Sequence, residues 1–142
     1  MNTEKIALID IGSNTIRLVI FEITTDYNLL ELQNIKTPAR LSQYLNENKT
    51  LSQAGIDTLV QVLDTFVAVT NQYDVTQILP MATATIRQST NKTDIIQQVL
   101  DRTGITLQIV PEEKEAYYGS YAVTLSTETK DGVTVDIGGG ST

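Results

Sequence analysis

The chain has no cysteine, no histidine and no tryptophan in 142 residues, and only three prolines and eight glycines. Without cysteine there is no disulfide, no thiolate nucleophile and no cysteine-built zinc or iron–sulfur site. Without histidine the commonest general base and the commonest transition-metal ligand are both missing. Chemistry is left to carboxylates, hydroxyls, arginine, lysine, backbone amides and a hard cation such as Mg²⁺, a set that suits phosphate. Basic residues are scarce as well, ten against seventeen acidic, for a formal charge of −7. That balance gives no footprint for duplex nucleic acid or an anionic membrane, so neither is expected as a partner. An anionic ligand would have to be held by local devices: glycine-loop amides, one or two arginines or a bridging metal. No apolar run approaches the ~20 residues of a membrane span. The opening Met1-Asn2-Thr3-Glu4-Lys5 lacks the basic and apolar regions of a secretory signal, so the expected compartment is the cytoplasm.

What is present reads as a globular α/β chain, 41% hydrophobic and 19% charged. Lys5 to Asp10 is a nearly unbroken apolar run, as a strand covered on both faces would be. Gly12-Ser13-Asn14 interrupts it, Ile16 to Ile23 resumes it, and Leu29 to Thr37 follows after Asp26-Tyr27-Asn28, which predicts an antiparallel meander. Ile56, Leu59, Val60, Leu63, Phe66, Val67 and Thr70 then recur at helical spacing behind Ser52, a suitable N-cap. A strand over Val75 to Met81, ending at Pro80, and a helix over Asn91 to Thr103, stopped by Gly104, come next. A strand over Ile105 to Val110 leads into a third helix from Pro111 to about Ser126, and a last strand from Val133 to Ile137 enters Gly138-Gly139-Gly140-Ser141-Thr142. The expected fold is α/β, a mixed five-stranded sheet flanked by helices.

Four stretches carry chemistry. Asp10-Ile-Gly-Ser-Asn14 and Asp136-Ile-Gly-Gly-Gly-Ser141 repeat one unit, a carboxylate at a strand end followed by glycine and small polar residues. Glycine lets backbone amides close on an anion, and the carboxylate is placed to hold a metal, a metal-bound water or the turn itself. One copy would be an ordinary hairpin; two suggest a phosphate gripped from both sides. The third stretch runs from Met81 to Asn91, where a buried strand empties into small residues and a single Arg87. Strand ends of α/β sheets collect ligands, and arginine grips phosphate in a bidentate way. The fourth, Pro111-Glu-Glu-Lys-Glu115-Ala-Tyr-Tyr-Gly119, puts acids in the first turn of a helix, where they complement the dipole and can also activate water.

In order and spacing these stretches resemble the exopolyphosphatase/guanosine pentaphosphate phosphohydrolase (Ppx/GppA) family, across essentially the whole chain. The resemblance implies a ribonuclease H-like domain of the actin-like ATPase superfamily, over residues 1–128. Residues 129–142 would then be the first strand and phosphate loop of a second such domain, with the active site in the cleft between. It implies Glu115 as the base that activates water and Arg87 as the catalytic arginine. Ser13, Asn14, Arg17, Gly138, Gly139, Gly140 and Ser141 would bind phosphate, with Asp136 and Asp10 as acids near Mg²⁺ or Mn²⁺. The implied substrates are inorganic polyphosphate or guanosine pentaphosphate/tetraphosphate, the intact protein is expected to be a homodimer, and this piece alone is expected to be inactive. The chain departs from the family pattern at Glu112, Lys114 and Tyr117, which stand where a glycine, an acid and an arginine are usual. Two other readings stay open: an actin-like ATPase or kinase fragment whose loops clasp ATP, and a non-catalytic module that senses a phosphorylated nucleotide or polyphosphate.

Overall fold

The computed structural model describes residues 3–114. The helix expected from Pro111 to about Ser126 is helical over Glu112–Lys114; its continuation from Glu115, the strand over 133–137 and the 128/129 domain boundary lie outside the described residues. Three antiparallel strands, β1 (Glu4–Ile11), β2 (Thr15–Ile23) and β3 (Leu29–Pro38), form the expected meander. β1 also pairs in parallel with β4 (Gln77–Ala82), and β4 with a two-residue β5 (Gln108–Ile109). The result is one mixed sheet in the order β3-β2-β1-β4-β5. Strand periodicity sends Ala7, Ile9 and Ile11 of β1 and Ile16, Leu18 and Ile20 of β2 to one fully buried face. On the other face Ile6, Leu8 and Val19 are half-buried and Asp10 and Arg17 are exposed. β1 is therefore fully covered on one side, not on both as its apolar run suggests.

Helix α1 (Gln53–Gln72) begins where expected. Ser52 is extended and its side chain accepts the amide of Gly55 at 3.2 Å. Ile56, Leu59, Leu63 and Phe66 form its buried stripe in the core beside the sheet. Helix α3 (Lys92–Thr103) adds Ile95 and Val99 and stops at Gly104, whose φ of 77° allows the left-handed turn that ends it. At the surface Arg102 binds Asp57 at 2.7 Å, and Gln53 and Gln98 exchange hydrogen bonds, so α1 and α3 are stitched together. The Arg102 hydrogen bond, then that of Gln53, holds the Asp57 carboxyl below its ordinary range. Whatever this exposed group contributes to stability is present above the ordinary carboxylate pKa and lost as pH falls through the lowered one.

The 3₁₀ turn at Leu41–Tyr44 has no signal in the sequence, and the helical turn expected to start at Arg87 is a five-residue helix, α2, at Ala84–Gln88, which carries Arg87 in its last turn. Two others are displaced. Pro80 does not end β4 but sits inside it, opposite Ile9. The flank of β4 away from β1 meets β5 only at Met81 and Ala82, so at Pro80 that flank has no strand neighbour needing an amide. The expected strand over Ile105 to Val110 shrinks to two residues because Ile105 and Leu107 turn into the core, each 5% exposed. A groove of about 290 Å³ lined by Ile78, Pro80, Ile105 and Gln108 remains where the ladder opens. No helix among the described residues is long and apolar enough to cross a membrane.

Gly55 lies where α1 meets the 3₁₀ turn. A Cβ there would stand 2.6 Å from the Tyr44 Cβ and 2.8 Å from a Leu51 methyl. Alanine normally favours a helix over glycine, yet Gly55→Ala is expected to destabilise the protein by about 1–3 kcal/mol through overpacking. Chemical denaturation of the two proteins measures it.

Candidate active site

The site grows from the turn between β1 and β2. The two strands pair out to Ile11 and Ile16, and Gly12 closes the turn by donating its amide to the Thr15 carbonyl at 3.0 Å. A Cβ on Gly12 would be 2.9 Å from that oxygen, so the close approach requires glycine. The Ser13 carbonyl accepts the Ser42 amide at 3.0 Å, and the Asn14 carbonyl accepts the amides of Ala39 (3.0 Å) and Arg40 (2.8 Å). With the carbonyls engaged, the Ser13 and Asn14 amides and the Ser13 hydroxyl find no acceptor among the described residues. Ser13 is 5% exposed, and among the described residues no buried side-chain polar atom lacks a partner, so what it exposes includes that hydroxyl. The turn thus offers a small group of uncommitted donors on a braced backbone, a kind of arrangement that can bind anions.

The second part of the site is tied to the first. Thr83, which follows β4, donates both its amide and its hydroxyl to the Ile11 carbonyl, each at 3.1 Å. α2 starts there and brings round Arg87, half-buried, whose Nη1 donates to the Val110 carbonyl at 2.9 Å. Lys92 donates to the Arg87 carbonyl at 3.0 Å. Arg87 is thus oriented from the end of β5, at the segment Pro111–Lys114 that immediately precedes Glu115.

Asp10, Ser13, Asn14 and Arg17 gather at the carboxyl end of β1 and in the hairpin turn, with Asp10 directly opposite Arg17, and Arg87 stands in α2 just beyond β4, which Thr83 ties to the end of β1. Glu115, Asp136, Gly138, Gly139, Gly140 and Ser141 lie outside the described residues. Among the described residues no three acidic groups gather into a metal cage. The braces leave no signal along the chain. Arg40 has no motif around it, and its left-handed backbone (φ 51°, ψ 46°) shows only in three dimensions. Thr83 and Asn91 sit in the Arg87 stretch, but their partners are 72 and 40 residues away. The Asn91 carboxamide makes two bonds to Leu51, accepting from its amide at 3.0 Å and donating to its carbonyl at 2.9 Å.

A sheet in the order β3-β2-β1-β4-β5, with a glycine turn after β1 and an arginine helix after β4, defines a ribonuclease H-like domain of the actin-like type. The chain belongs to the Ppx/GppA phosphatase family, whose model matches residues 19–142. Its fold superposes on the crystal structure of the Aquifex aeolicus member of that family with a TM-score of 0.82 at 26% identity, covering 90% of this chain and 42% of that one. It is 34% identical to a bifunctional 3-dehydroquinate synthase/phosphatase of Fusobacterium nucleatum, over 96% of this chain and 22% of that protein. It is 25% identical to exopolyphosphatase 1 of Mycobacterium tuberculosis, over 96% of this chain and 40% of that protein. The chain therefore spans less than half the length of these relatives.

Because the Gly12 approach is set by backbone atoms, Gly12→Ala is expected to shift the turn and destabilise the protein by about 1–3 kcal/mol. Ser13→Ala, which leaves the backbone bonds of the turn in place, should cost less. Chemical denaturation of the two variants separates backbone from side-chain contributions.

Proposed function

We propose that the protein containing this chain is a phosphohydrolase that releases the terminal phosphoryl group of inorganic polyphosphate or of guanosine pentaphosphate. One observation carries the reading: in the Gly12–Asn14 turn the Ser13 and Asn14 carbonyls are engaged while the Ser13 and Asn14 amides have no acceptor among the described residues, and the turn is tied through Ile11 and Thr83 to the helix that holds Arg87. Such a set of donors, fixed before substrate arrives, stabilises charge that builds on a phosphoryl group during transfer. The turn amides and the Ser13 hydroxyl bind the terminal phosphate, and the Arg87 guanidinium orients it. Glu115 takes a proton from the attacking water. The family membership and the exopolyphosphatase relatives support this reading.

Mg²⁺ or Mn²⁺ fits the donor set in one manner. Such an ion is commonly held by one or two carboxylates together with waters and the substrate's own phosphates, so it needs no protein cage. Asp10 and Asp136 would hold it. When bound, it neutralises phosphate charge and fixes the geometry of the chain. Residues 129–142 are read as the opening of a second domain, whose Gly138–Ser141 loop would face the first across a cleft.

The test is orthophosphate release by the full protein with Mg²⁺, from polyphosphate and from guanosine pentaphosphate. Glu115→Gln should lower kcat by about 10²–10⁴-fold with substrate affinity retained. Arg87→Lys keeps the charge but loses the planar fork, and should lower kcat/KM by about 10–100-fold. An unsubstituted protein that binds guanosine tetraphosphate or polyphosphate and releases no phosphate from either substrate would show a binding module, not an enzyme.

A further inference from the structure

We propose that Lys36, acting with Arg17, forms a second phosphate subsite on the outer face of the sheet, which holds phosphoryl groups beyond the one gripped by the Gly12–Asn14 turn. This rests on the phosphohydrolase reading and deepens it by assigning Lys36 as a residue that engages the phosphoryl groups next to the terminal one.

The register places the residues. Asp10 lies opposite Arg17 across β1 and β2, and Arg17 lies opposite Lys36 across β2 and β3. Directly opposed residues share a face, about 4.5–5.5 Å apart at Cα. The flanking Ile9, Ile11, Ile16 and Leu18 occupy the buried face, so Asp10, Arg17 and Lys36 stand in a row on the other, and all three are exposed. The row adjoins the phosphate turn from two directions. Arg17 is three residues past Asn14, and β3 runs from Lys36 straight to Ala39 and Arg40, whose amides hold the Asn14 carbonyl.

The arrangement has a cost that the fold does not require. Like charges directly opposite on neighbouring strands are destabilising. The chain is acidic, with seventeen carboxylates to ten cations, and elsewhere on the same ladder it opposes Lys5 with Glu22. Yet here two cations face each other, and neither makes a side-chain hydrogen bond or ion pair with any described residue. One carboxylate, Asp10, stands against two positive groups. A polyanion lying along the row removes the repulsion and supplies the acceptors. The long stems of Arg17 and Lys36 can converge on neighbouring phosphoryl groups, the guanidinium as a fork and the ammonium as a point charge.

The experiment measures binding, not turnover, by calorimetry of the full protein without divalent cation. The ligands are orthophosphate, tripolyphosphate and guanosine triphosphate. Lys36→Gln should weaken tripolyphosphate binding about tenfold while changing orthophosphate less than about twofold. Lys36→Arg should restore the affinity. Lys5→Gln removes the same charge from the far end of β1 and should change neither. The unliganded Lys36→Gln protein should melt no lower than the parent, since a repulsion has been removed. A loss shared by guanosine triphosphate assigns the subsite to oligophosphates in general; a loss confined to tripolyphosphate assigns it to the inorganic chain. Tripolyphosphate affinity in Lys36→Gln within about twofold of that in Lys5→Gln would overturn the proposal. Absence of phosphate release by the parent protein would instead overturn the hydrolase reading and leave this comparison intact.

Discussion

The Asn14 carbonyl accepts two amides, from consecutive residues Ala39 and Arg40, and the Ser13 carbonyl accepts a third from Ser42. Those three bonds fix the Ser13–Asn14 and Asn14–Thr15 peptides, because in a trans peptide an engaged carbonyl turns the amide it is bonded to the opposite way, which directs the Asn14 amide away from the braces. Two successive amides can reach one oxygen only if the chain curls sharply, and Arg40 does so in the left-handed region at φ 51°. For a residue with a Cβ that conformation costs about 1–2 kcal/mol, offset here by the bonds it permits. The curl continues into the 3₁₀ turn over buried Leu41, then through the Leu45–Leu51 bridge to the pair of hydrogen bonds between Leu51 and the Asn91 carboxamide. Asn91 immediately precedes α3 and follows the helix of Arg87. The donors of the turn and the arginine thus share one frame, assembled mainly from backbone groups far apart in sequence.

This explains what could be read from the residues and what could not. The meander, α1 with its Ser52 cap and α3 with its Gly104 stop rest on local rules, namely period two, period 3.6 and terminal residues with known backbone preferences. The Asp10–Asn14 turn and Arg87 were legible for the same reason, as residues whose chemistry and position at a strand end stand out on their own. β5 was overextended because an apolar run does not say whether its residues ladder or pack, and Ile105 and Leu107 pack. Arg40, Thr83 and Asn91 were hidden since each acts through a partner tens of residues away. The opposition of Arg17 and Lys36 needs a register, and the register needs the bulge in β3.

The acidity of the chain takes on a different meaning with the site in view. Backbone amides carry no net charge, so an anion can be bound by orienting them without altering the overall balance. The exposed surface can then carry the acidic excess, while the cations that matter stand next to the turn. Arg87 approaches from α2, and Arg17 and Lys36 stand on the strands that flank it.

The irregularity between β2 and β3 has a further consequence. Above it, Ile20 faces Gln33 and Thr15 faces Pro38; below it, Phe21 faces Glu31, so Leu32 is an extra residue with no partner. The two halves of the ladder therefore run in registers offset by one, joined at a point that accommodates the mismatch. A residue gained or lost in the far hairpin around Asp26 and Tyr27 can be taken up by moving or erasing that offset, without reaching Pro38. The hairpin tip can vary in length through evolution while the strand end that braces the turn stays in place.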